Sequence, residues 1–153
     1  FVTIQGYVDT GIYAWDHHWG IFPHLDKQLP IYDNSYSALL NDLDDRGLLD
    51  TTLVITAGEF GRTPGFNKDK RGPGRDHWNR CFSLTMGGGG VQTGRVIGAS
   101  DKHGAVPTDR PVSVADFAAT VYHALGLDPK AEYAAQGRPM TVLPDGAVVK
   151  ELF

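Results

Sequence analysis

Thr51-Thr52-Leu53-Val54-Ile55-Thr56-Ala57-Gly58-Glu59-Phe60-Gly61-Arg62-Thr63-Pro64 is the stretch whose reading decides the fold class. Its first half is a continuous β-branched and aliphatic run, the pattern of a strand buried on both faces. Its second half breaks into glycines and a proline, so the strand ends in a loop carrying Glu59 and Arg62. Loops at the carboxyl ends of parallel strands are where α/β proteins usually place their chemistry.

Upstream, Tyr32, Tyr36, Leu39, Leu40 and Leu43 fall at helical spacing, with Asp42, Asp44, Asp45 and Arg46 on the opposite face. Gly47 suits a C-terminal cap, and Pro30 suits a first-turn position. Residues 1–5 are apolar and β-branched, which predicts a strand already under way at Phe1. Strand, helix and strand with short connections predict a parallel pair with a right-handed crossover. The expected architecture is therefore α/β, with a mostly parallel central sheet flanked by helices and a single unit over residues 1–153. The opening on Phe1-Val2-Thr3-Ile4 reads as a cut edge at the N-terminus.

Downstream, the pattern predicts a strand from Cys81 to Met86, a tight turn or close backbone approach at Gly87 to Gly90, and a short strand at Val96-Ile97. Ser113 and Asp116 form a capping box ahead of a second helix, which Gly126 stops. A hairpin is expected with its turn at Pro144-Asp145-Gly146.

Composition removes several classes of function. No apolar run approaches the roughly 20 residues that a membrane-spanning helix needs. The net charge of −4 with scattered basic residues gives no nucleic-acid surface. The single cysteine, Cys81, cannot form an internal disulfide and reads as a buried structural thiol. The glycine run lacks the Lys and Ser/Thr of a phosphate-binding loop.

Chemistry concentrates in three places. Asp16, His17 and His18 stand between Trp15 and Trp19. A carboxylate and an imidazole two apart in a loop can face one divalent metal, zinc or manganese rather than calcium. The alternative is a solvated polar loop braced by the two tryptophans. Asp76-His77 is the second place, although a lone pair of this kind is more often a hydrogen-bonded structural pair than a ligand set. Glu59 is the third, as a ligand, a general base or a loop-bracing carboxylate. Arg62 and Arg75 could hold an anionic oxygen bidentately, which would suit phosphate or sulfate esters. His24, His103 and His123 carry no such pattern; His123 falls within the second helix and His103 in an exposed turn.

Taken in order, Trp15-Asp16-His17-His18, Gly47-Leu48-Leu49-Asp50-Thr51-Thr52-Leu53-Val54, Gly58-Glu59-Phe60-Gly61-Arg62-Thr63-Pro64, Gly74-Arg75-Asp76-His77-Trp78, Val96-Ile97-Gly98-Ala99-Ser100-Asp101 and Gln136-Gly137-Arg138-Pro139 form a recognisable series. The chain resembles the bacterial domain-of-unknown-function family fifteen-hundred-and-one, a sulfatase-like branch of the alkaline phosphatase superfamily, and the resemblance runs over nearly its whole length. It implies an alkaline phosphatase/sulfatase-like fold truncated at the N-terminus, whose partner is the missing N-terminal half of the same protein. It implies Asp16, His18 and His77 as metal ligands and a phosphate or sulfate ester, small molecule or glycan, as substrate. Glu59-Phe60 falls where the superfamily commonly has Asp-His, so only Glu59 could coordinate there. The nucleophile is expected upstream of Phe1, which would leave this stretch alone inactive, and the parent protein is expected to be exported to the periplasm or beyond. The competing expectation is an exported binding or structural protein that keeps the fold without the chemistry.

Overall fold

The computed structural model describes residues 1–4 and 15–153. Helix α1 spans Ile21–Asp45, twice the length expected from the apolar spacing alone. It runs through Pro30, which was expected near its start. Proline has no N–H to donate, so the helix loses one rung of its ladder there and continues on both sides. The helix ends as predicted: Gly47 has φ 65°, Gly47 N donates to Asp44 O at 2.8 Å, and Leu48 N donates to Leu43 O at 2.8 Å. Both orphan carbonyls are thus met by a glycine-closed Schellman turn.

A 3₁₀ turn at Leu49–Thr51 leads into β1, Val54–Thr56. Next come β2 at Gly61–Arg62, β3 at His77–Trp78 and β4 at Thr85–Gly87. β5 at Ala99–Ser100 and β6 at Pro107–Asp109 precede helix α2, Val114–Ala124. β7 at Glu132–Ala135 and β8 at Arg138–Thr141 follow, and a 3₁₀ turn at Lys150–Leu152 closes the chain.

Among the described residues the strands form four two-stranded antiparallel pairs, β1–β4, β2–β3, β5–β6 and β7–β8. The chain is mixed α/β, but the mostly parallel central sheet expected from the sequence is not found among the described residues. Of the run at 51–57 only Val54–Thr56 forms a strand, half-buried rather than buried on both faces, and these residues oppose Gly87, Met86 and Thr85 in antiparallel register. The predicted parallel partner fails for a direct reason: Phe1 to Ile4 have no regular structure and are exposed, and Gln5 lies outside the described residues.

Three smaller expectations shift in position. The strand predicted from Cys81 begins at Thr85, leaving Cys81 half-buried in an irregular segment. The strand predicted at Val96-Ile97 forms at Ala99–Ser100. The hairpin turns at Gln136-Gly137, where φ is 52° and 77°, rather than at Pro144-Asp145-Gly146. A two-residue turn with both φ values positive matches the twist of the flanking strands.

Gly146 does something else: a Cβ there would overlap the Ala115 carbonyl. That close approach lets Ala147 N donate to Asp116 Oδ1 at 2.7 Å and Val149 N donate to Thr120 Oγ1 at 3.0 Å, docking the C-terminal segment on α2. The Ser113–Asp116 capping box forms as expected, with Asp116 N donating to Ser113 Oγ at 3.0 Å. The expected close backbone approach is made by two of the four glycines: Gly88 and Gly89 press on the backbone of residues 49–53 and Gly89 N donates to Leu49 O at 2.9 Å.

Apolar burial is sparse. Among the described residues only Val91, Ala119 and Val149 are buried hydrophobics, while Phe22, Leu29, Ile31, Phe66 and Phe82 are exposed. The accessible surface is 10836 Å² for 16.6 kDa, against about 7,600 Å² from the size scaling of compact monomers.

Candidate metal centre

The loop 15–20 and the hairpin β2–β3 meet through backbone hydrogen bonds. Arg75 N donates to His17 O at 3.0 Å, and Ile21 N, the first helical donor of α1, reaches Pro73 O at 3.0 Å. Gly20, in left-handed conformation at the start of α1, offers no side-chain cap. The 72–73 backbone therefore supplies acceptors that a capping side chain would otherwise give. Gly74 sits so close that a Cβ would overlap the His18 carbonyl. Asn67 completes the junction: its Nδ2 donates to His18 O at 2.7 Å and its Oδ1 accepts from Gly74 N at 3.1 Å.

This junction brings Asp16, His18 and His77 together, residues up to 61 apart in the chain. His77 Nε2 lies 2.9 Å from Asp16 Oδ1, and His18 Nε2 lies 3.2 Å from Asp16 Oδ2 and 3.2 Å from His77 Nε2. One ligand atom from each of the three lies within 4.8 Å of the others. β3 carries His77 into place because Arg62 and His77 are directly opposed in the β2–β3 pair. Arg62 Nη1 donates to Asp16 Oδ1.

Burial pushes the Asp16 carboxyl upward, but hydrogen bonds from Arg62 and His77 and the charges of Arg62 and His18 outweigh it. The net result is a fall from 3.8 to about 2. Asp16 is thus ionised throughout the neutral range. Asp76, next to His77, accepts from His18 Nδ1 at 2.7 Å, and that hydrogen bond is the main cause of its lowered pKa.

The remaining expected site residues lie otherwise. Glu59 is exposed in a bend and outside the Asp16–His18–His77 group. Its neighbour Phe60 packs its ring 4.2 Å from the His77 ring, so the residue that cannot coordinate instead backs one that can. Arg75 is engaged as a brace, donating from Nη1 to Thr63 O at 2.8 Å with its guanidinium 4.4 Å from the Phe66 ring. His17 is buried and stacks on His24 at 5.2 Å, away from the three-residue group. His123 packs edge-on against Phe153 at 4.8 Å, and His103 is exposed in a turn, both as expected.

Asn67 was not singled out from the sequence, and Phe60 was noted there only as a residue that cannot coordinate. Nothing in a polar loop of glycines and lysines distinguishes Asn67. The adjacency of Asp76 to His77 was visible, but its link to His18 was not.

A family model described as "Protein of unknown function (DUF1501)" matches residues 1–153. The chain belongs to this family. No curated protein and no solved structure matches it.

Across this DUF1501 chain the donor set of the cluster is one carboxylate oxygen and two imidazole nitrogens, which fits zinc or manganese better than the all-oxygen preference of calcium.

Proposed function

We propose that this chain contributes a divalent-metal centre to a sulfatase-like hydrolase of phosphate or sulfate esters. The convergence of Asp16, His18 and His77, drawn from two separate loops, is the observation that carries the reading. Asp16, His18 and His77 would hold the ion. When bound, it would polarise the ester and stabilise charge on the attacking or leaving oxygen.

The chain's own residues prepare that task. Arg62 and His77 keep Asp16 ionised. Phe60 fixes the plane of the His77 ring from one side. The strand opposition of Arg62 and His77 sets the spacing between the guanidinium and the imidazole on either side of Asp16. Membership of the alkaline phosphatase superfamily and export of the parent protein belong to the same proposal, supported by the ordered series of motifs in the sequence.

The test is zinc and manganese uptake by the full natural polypeptide, followed by a panel of phosphate and sulfate esters. Stoichiometric metal with turnover, both lost in His77→Ala, is expected. A metal-loaded protein that hydrolyses no ester in the panel sinks the hydrolase reading.

A second reading is an exported, non-catalytic binding or structural protein. Its support is the Glu59-Phe60 pair: Glu59 is exposed and outside the group, and Phe60 occupies the flank of His77. A second metal beside the first would therefore find few ligands there. Metal uptake without turnover is the outcome this reading expects.

A further inference from the structure

We infer that Asp76 is a positioning residue that locks His18 in the tautomer protonated at Nδ1, so that the Nε2 lone pair faces Asp16 and His77. The consequence for metal affinity rests on the metal-centre reading above; the geometry does not.

The argument is one of donors and acceptors. A carboxylate only accepts, so the 2.7 Å contact between His18 Nδ1 and Asp76 Oδ1 requires the hydrogen on Nδ1. A neutral imidazole has one N–H, which leaves Nε2 as an acceptor. That acceptor faces the Asp16 carboxylate at 3.1 Å, another pure acceptor. His77 Nε2 lies 2.9 Å from Asp16 Oδ1 and 3.2 Å from His18 Nε2, so a hydrogen there would serve between the three groups. The lone pairs of His18 Nε2 and Asp16 gathered this way are arranged to receive a cation, with His77 joining them once any Nε2 proton is released.

Asp76 is itself held on three sides. Its backbone N donates to Thr63 Oγ1 at 3.1 Å, and its carbonyl accepts from Thr63 N at 2.9 Å. Its Oδ1 also accepts from Asn67 Nδ2 at 3.3 Å. The orientation of the Asn67 amide is fixed independently, because its Oδ1 accepts from the Gly74 N–H. Asn67 therefore ties the carboxylate behind His18 and the His18 carbonyl to one side chain. A carboxylate behind a ligating imidazole raises its basicity and fixes its ring, and loss of such a partner typically costs 10–100-fold in metal affinity.

The competing arrangement is an imidazolium at His18, donating to Asp76 from Nδ1 and to Asp16 from Nε2, which would be a structural ion-pair network. Nitrogen-15 spectra of the full chain, with imidazole nitrogens correlated to ring protons at about pH 8 without metal, separate the two. A neutral His18 protonated at Nδ1 is expected, as is its loss in Asp76→Ala and its retention in Asp76→Glu. An imidazolium at His18, or an Nδ1-protonated form that persists in Asp76→Ala, overturns the inference.

Zinc titration supplies the second readout. Asp76→Ala is expected to weaken zinc 10–100-fold, with circular dichroism matching the parent chain and Asp76→Glu recovering most of the affinity. Equal zinc affinity in the parent chain and Asp76→Ala overturns the positioning role in binding. If the parent chain takes up no zinc while His18 keeps its Asp76-dependent tautomer, the metal-centre reading fails and the positioning of His18 by Asp76 stands.

Discussion

Helix α1 and the junction between loop 15–20 and the β2–β3 hairpin are opposites in how they are ordered. α1 is the longest regular element, yet it buries only Gln28, and it leaves Phe22, Leu29 and Ile31 about half exposed at 53%, 48% and 47%. The junction contains two strands of two residues each. It is nonetheless crossed by backbone bonds from Arg75 and Ile21, by the Asn67 amide and by the Asp16–Arg62 and His18–Asp76 contacts. One region is regular without a core; the other is irregular and densely bonded. The difference teaches that the candidate site does not owe its geometry to hydrophobic packing. Hydrogen bonds and close backbone approach position it, so it should respond sharply to changes in either and weakly to changes on the open helix face.

Gly74→Ala is the strongest way to break the contrast. The added methyl would meet the His18 carbonyl and the backbone beyond it, none of which can rotate aside. A loss of about 3 kcal/mol, the upper part of the range for overpacking, is expected in denaturant unfolding, with loss of metal uptake. Gly47→Ala serves as the comparison: its Cβ meets nothing within 4 Å, so only the positive φ is penalised, at about 1 kcal/mol. If the two variants unfold at the same denaturant concentration, the junction is not the tightly fitted part of the molecule.

Arg62→Gln should act next most strongly, and its effect depends on pH. Asp16 is depressed in the folded chain, so its contribution is fully present above its ordinary 3.8 and is lost as pH falls from there toward about 2. Removing Arg62 should raise the Asp16 pKa and move the acid-unfolding limb to higher pH. Asp16 is 42% exposed, so screening holds the neutral-pH stability loss to about 1 kcal/mol. An acid limb unchanged by the substitution would remove Arg62 from the account of Asp16.

Ser113→Ala, in the α2 cap and with no hydrogen bond to the junction, should cost about 0.5–1 kcal/mol through loss of that cap and leave zinc affinity alone, as read by thermal unfolding and titration. The smallest effect is expected at Glu59→Ala. With Glu59 exposed and outside the ligand group, zinc affinity should stay within about twofold, since only a solvent-screened charge is removed. A tenfold loss there would bring Glu59 back as a ligand.

Local features were legible in the sequence because their causes are local. Gly47 and Gly126 end their helices where a left-handed residue is needed, and Ser113 with Asp116 caps α2 through atoms three residues apart. Part of the β-branched run at 51–57, Val54–Thr56, forms a strand. What the sequence could not settle was pairing. A strand buried on both faces looks the same whether its neighbour runs parallel or antiparallel, so Val54–Thr56 was given the wrong partner. The length of α1 was missed because Pro30 was given its local preference, which the helix on both sides overrides.

The candidate site divides along the same line. Sequence alone determined which side chains could bind a cation, since that is a property of carboxylate and imidazole. Only the tertiary structure decided that Asp16, His18 and His77 converge, that Arg75 is taken up by Thr63 and Phe66, and that Asp76 and Asn67 stand behind His18. The reason is physical: ligand chemistry belongs to single residues, whereas convergence depends on contacts across some 60 residues of chain, which no local preference encodes.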